Sequence, residues 1–248
     1  ITGSTVDLGD NDVGGGNIAL FATNGDIGGT GAITANGGVT ALATGAVNLT
    51  GDINAASTAD LRGASVNLGN VSTNGFVSIA ATNGAVTSTG LLSAGQDLFI
   101  TTTQGATLNN LVAGDDIGIT GSGSVTIASM RANGTNPQGE EIGSNATVDI
   151  TGILTVTGDT FAADDATFNA LGIALQGVEV GGSLTATSTG SPITLASADA
   201  GANVILTSAR TVTATGPIQS GQATTIRGTG LDLQSVTAGT DVGLTATT

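Results

Sequence analysis

Residues 95–113 read GQDLFITTTQGATLNNLVA, and residues 114–132 read GDDIGITGSGSVTIASMRA. Set one above the other, the two lines share a grammar. Each opens on a polar corner, Gly95 to Asp97 in one and Gly114 to Asp116 in the other. An alternating apolar pair follows, Leu98 and Ile100, then Ile117 and Ile119. After a turn of Gly, Ser or Thr comes a second pair, such as Val125 and Ile127, and a short third segment that closes on Ala. Alternation with a period of two marks an extended strand with one side buried. Three short strands separated by tight corners describe one triangular coil.

The same grammar continues outward in both directions. Before this pair lie the lines 16–35, 36–55, 56–73 and 74–94; after it come 146–163, 164–180, 181–200, 201–220 and 221–238, and residues 239–248 begin another. The period is about 17–21 residues, which is the spacing of a β-solenoid. A lone coil cannot bury its inner residues, whereas stacked coils pair strand on strand, in parallel, at ~4.8 Å. The expected fold is therefore all-β: a single right-handed parallel β-helix of roughly 11–12 coils, triangular in section and about 50–60 Å long. Val, Ile, Leu and Ala line the interior, Thr and Ser face out, and Gly is expected to supply positive φ at the corners. Residues 1–248 read as one continuous solenoid segment. The chain opens at Ile1 and its single Met is Met130, so it reads as an internal fragment of a larger protein. Helical solenoids, collagen and propellers need other periods.

Residues 133–145, NGTNPQGEEIGSN, break the period and contain Pro137. They read as a loop inserted between coils. Loops on a rigid scaffold are common contact sites, which makes Asn136, Glu140 and Glu141 the candidate binding residues.

Composition narrows the function classes. Nineteen acidic residues against four arginines give a formal charge of −15, and His, Lys, Cys, Trp and Tyr are all missing. Such a surface repels phosphate backbones and anionic membranes, which excludes nucleic-acid partners. Hydrophobic residues make up 39% and charged residues 9%, with a mean hydropathy of +0.31, the opposite of a disordered chain. No run approaches the ~18 apolar residues of a transmembrane helix, and no basic segment followed by an apolar run marks a signal peptide.

Catalysis on a β-helix uses several carboxylates converging on one groove. The adjacent pairs here are Asp115–Asp116 and Asp164–Asp165, both at the start of a line. Adjacent strand residues point to opposite faces, so neither pair is expected to converge. Turn chemistry, in which Asp bonds nearby backbone N–H groups, accounts for both. No catalytic set is assigned and no cofactor is required. The corner series Asp97, Asp116, Asn203 and Asp241 recurs at one position in the lines. Stacked carboxylates repel, so Asp97 and Asp116 are candidate ligands for a bridging calcium ion, with turn chemistry as the alternative. The sequons at Asn48, Asn70, Asn133 and Asn145 are explained by chance in so Thr- and Asn-rich a chain. Thr-x-Thr at Thr101, Thr185 and Thr211 is not expected to stack into the flat arrays of ice-binding β-helices.

The lines resemble the haemagglutinin-type repeats of filamentous-haemagglutinin-like, two-partner-secreted adhesins. The resemblance is carried by SAGQDLFITT (93–102), VAGDDIGITG (112–121) and TAGTDVGLTAT (237–247), with weaker forms at 179–188 and 199–208. It implies a secreted bacterial surface protein in which this segment is a non-enzymatic shaft. Its implied partners are a host or neighbouring-cell surface, a matrix polysaccharide, or other copies of itself. Two further classes stay open: a self-assembling extracellular fibre subunit stacked end to end, and a polysaccharide-active β-helical enzyme.

Overall fold

A computed structural model of the chain describes residues 1–134 and 143–247. Among these residues there is no helix, and the strands stack in parallel as a β-solenoid of about 12 coils. The expected architecture is the observed one. The first strand of every coil joins a 13-stranded sheet, which forms one face of the rod. The second and third strands form two further faces, which merge into an 18-stranded sheet.

The merger departs from expectation. Early coils carry three separate strands, as in Val39–Ala43, Val47–Leu49 and Ile53–Ala55. From Ala106–Ala113 onward most coils run the second and third strands together, as in Val125–Ala132 and Thr211–Ser220. Asn109 and Asn110 stay in strand conformation, so the corner between these faces opens into a gentle bend.

Register makes the core. On the first face Leu20, Ala41, Leu61, Ile79, Ile100, Ile119, Val148, Phe168, Ala186, Leu206 and Ile226 stack as one column. All of them are buried, and Phe168 is the largest fully buried side chain. Fully burying one Leu or Ile contributes about 1.5–3 kcal/mol, so the columns supply most of the stabilisation. Buried hydroxyls at the strand ends turn back to the corners: Thr73 donates to the carbonyl of Gly75 and Ser88 to that of Gly90.

Positive φ is not the general reason for the corner glycines. Among the described residues only Gly9, Gly105, Gly121, Gly123 and Gly134 have it. The commoner reason is room. Gly181, Gly201, Gly221 and Gly239 stack at one corner, and a Cβ on any of them would overlap a carbonyl oxygen of the coil below. The corners approach so closely that only a residue without Cβ fits.

The period break is narrower than residues 133–145. The amide of Asn133 still donates to Ala113 at 2.9 Å, and buried Ser144 accepts from Asp164 at 2.9 Å. Asn136, Glu140 and Glu141, the candidate loop residues, lie outside the described residues.

Candidate functional site

The corner that opens the first face carries a column of polar side chains. Asp97, Asp116, Asn145, Asp165, Ser183 and Asn203 occupy it in successive coils. Each accepts the backbone N–H of the next: Asp97 Oδ1 from Asp116 at 3.3 Å, Asp116 Oδ1 from Asn145 at 2.8 Å, and Asn145 Oδ1 from Asp165 at 3.3 Å. Asp165 Oδ1 then accepts from Ser183 at 2.6 Å, and Asn203 Oδ1 from Ala223 at 3.1 Å. The Asn145 amide also donates to Asp116 Oδ1 at 3.2 Å. The bonding is turn chemistry passed from coil to coil, because the corner residue faces the unpaired N–H of its neighbour above. Asn145, Asp165 and Ser183 belong to this column although the sequence series omitted them. The insertion displaces Asn145 from its line, Asp165 stands second rather than third in the line that opens at Asp164, and Ser183 is neither Asp nor Asn.

Asp97 and Asp116 sit one coil apart, and Asp115 joins them. One carboxylate oxygen from each lies within 4.8 Å of the others. The expectation that Asp115 and Asp116 diverge is corrected here. Strand alternation stops at the corner, and both residues precede the strand Ile117–Gly121. Burial, then Asp116, then Asp97 push the Asp115 carboxyl above its usual value of 3.8. Three hard oxygen donors suit calcium by type. Two of these residues already hold a backbone N–H, so the cluster is also accounted for without an ion.

Beside this column the first face is notched. The outward column runs Phe99, Gly118, Thr147, Thr167. Gly118 offers no side chain, and the Phe99 ring leans over it; a Cβ there would stand 2.8 Å from the ring. Phe99 is 46% exposed. The result is a groove of about 630 Å³ along the rod axis. Asp116, Asn145 and Asp165 line one edge, and Thr101 and Thr120, whose hydroxyls meet at 3.5 Å, line the other.

A second groove of about 340 Å³ lies on the third face. There Arg131, Phe161, Glu179 and Asp199 follow one another in register. The Arg131 guanidinium lies 4.3 Å from the centre of the Phe161 ring, a cation–π contact, and Nε donates to Asn133 Oδ1 at 2.6 Å.

The remaining sequence candidates are dispersed. Arg62 and Arg227 share an outward column on the first face but are many coils apart. The Thr-x-Thr pairs do not stack as pairs. A single Thr column does form on the second face, through Thr87, Thr107, Thr126 and Thr155, which line-by-line reading missed. Of the four sequon asparagines, Asn70, Asn133 and Asn145 engage their carboxamides in hydrogen bonds, while Asn48 is exposed at mid-strand.

Neither protein-family models nor curated proteins nor solved structures match this chain.

Proposed function

We propose that this solenoid is the structural shaft of a secreted bacterial surface adhesin or extracellular filament, of the filamentous-haemagglutinin-like kind that its repeats resemble, and that it performs no catalysis. One observation carries the reading: buried, mainly aliphatic columns run in register from coil to coil, the first-face column through eleven successive coils. A parallel stack of this kind sets distance, because each coil adds ~4.8 Å and contacts only its neighbours. The charge of −15 supports an unaggregated rod, and with His, Lys, Cys and Tyr missing, carboxylates are the main groups left for acid–base work.

The test is made on the producing cell. Antibody raised to the chain is expected to label intact bacteria. Removing whole coils from the parent protein is expected to reduce attachment gradually as the shaft shortens. Label confined to the cell interior would overturn the reading. So would attachment that ignores rod length but is abolished by one point substitution on the rod.

A further inference from the structure

The first-face groove has the makings of a binding site that a plain spacer does not need. An exposed aromatic ring, Phe99, stands at one end over the bare backbone of Gly118. Along one edge Asp116 and Asp165 lie two coils apart, each with Oδ1 committed to a backbone N–H. Asn145 stands between them with its amide donated to Asp116 and its carbonyl oxygen bonded to Asp165 N–H, which holds the edge rigid. The Oδ2 oxygens have no protein partner among the described residues and are strong acceptors for hydroxyl donors. Across the groove, the Thr101 and Thr120 hydroxyls can both donate and accept.

We propose that this groove is a subsite for a neutral, extended polysaccharide strand lying along the rod axis. Each part matches a feature of such a ligand. The C–H face of a pyranose ring packs on an aromatic ring, and its hydroxyls donate to carboxylates. Coils repeat at ~4.8 Å, close to the advance of one sugar unit in an extended β-linked chain, so successive units meet successive coils. Among the described residues no basic side chain lines the groove and two acids do, which turns away uronate and sulfated polymers. The inference is independent of the shaft reading: it is tested on the isolated chain, and a rod without it still works as a spacer.

Titration calorimetry and saturation-transfer NMR of the full chain test it, with cellotetraose, mannotetraose and chitotetraose as neutral probes and tetragalacturonate as the charged one. At least one neutral probe is expected to bind with a Kd on the order of 1 mM, as suits a shallow open site. Phe99→Ala, and Gly118→Val, which fills the notch, are expected to weaken it about tenfold or more. Ile205→Ala, an exposed apolar residue on the same column, serves as the control and is expected to bind as wild type does. Thermal melts confirm that the variants stay folded, since Phe99 contributes little to the core. Saturable binding by none of the neutral probes overturns the proposal. So does equal affinity for tetragalacturonate, or binding unchanged in both groove variants.

Discussion

Thr160 has the only buried side-chain oxygen without a hydrogen-bond partner among the described residues. It occupies an inward position between Met130 and Val178, where the column is otherwise mostly apolar. An unsatisfied buried hydroxyl costs about 1–3 kcal/mol. Thr160→Val keeps the β-branched shape and removes the hydroxyl, so it is expected to raise the unfolding free energy by about 1 kcal/mol or more in a denaturant titration. A lower midpoint would show that the hydroxyl has an unseen role. Asp115 shows another kind of strain, a carboxylate set partly out of water and beside two others. Its folded pKa lies above 3.8, raised by burial and then by Asp116 and Asp97, so the folded state holds this proton more tightly than the unfolded one. Stability therefore falls as pH rises above 3.8, and the loss is complete above the folded value. Asp115→Asn is expected to melt above wild type at neutral pH, with the gap closing below 3.8. A variant that melts below wild type at neutral pH would contradict the repulsion. Adding calcium separates the two accounts of the cluster: an unchanged wild-type melting temperature leaves turn chemistry as the whole explanation.

At the scale of the element, register decides everything, because a shift of one residue in a strand exchanges its inner and outer faces. Ala35 pairs with Ala55, so deleting residues 36–55 brings Ala56 to the place of Asn36 and leaves every later strand in phase. The shortened chain is expected to melt cooperatively, with the circular dichroism of stacked strands. A single alanine inserted between Phe99 and Ile100 instead turns Ile100 outward, and is expected to cost several kcal/mol from one lost core position and a broken ladder. Equal melting of the two variants would contradict the register. The coil boundaries were legible in sequence because corners such as Gly95-Gln96-Asp97 and Gly114-Asp115-Asp116 are marked by residue type, and because Leu98 and Ile100 alternate plainly. Three things were not. The fusion at Ala106–Ala113 was hidden because the polar pair Asn109–Asn110 interrupts the apolar alternation although the backbone stays extended. The role of Gly181, Gly201 and Gly221 was misread because close approach between coils is invisible in a single line. The convergence of Asp115 with Asp97, and the notch at Gly118 beside Phe99, are contacts between coils and exist only once register is known.

The whole molecule is a rod whose length follows from counting. About 12 coils at ~4.8 Å give roughly 58 Å. Among the described residues each coil contacts mainly its two neighbours, so the rod transmits distance and offers repeated lateral faces. This is the physical content of the shaft reading, and the groove on the first face is one place where a lateral face becomes specific. The claim beneath both is that residues in one column climb the axis by one coil at a time. Distances between paired spin labels test it most directly, and the chain has no native Cys to interfere. Thr40, Thr147, Thr185 and Thr225 share one outward column; the last three stand five, seven and nine coils beyond the first. Labels at Thr40 paired with each of the others are expected to lie about 24, 34 and 43 Å apart, growing in proportion to the coils between them. Distances that fail to grow with coil number, or that do not exceed the breadth of a compact domain for Thr40 and Thr225, would contradict the stacked solenoid.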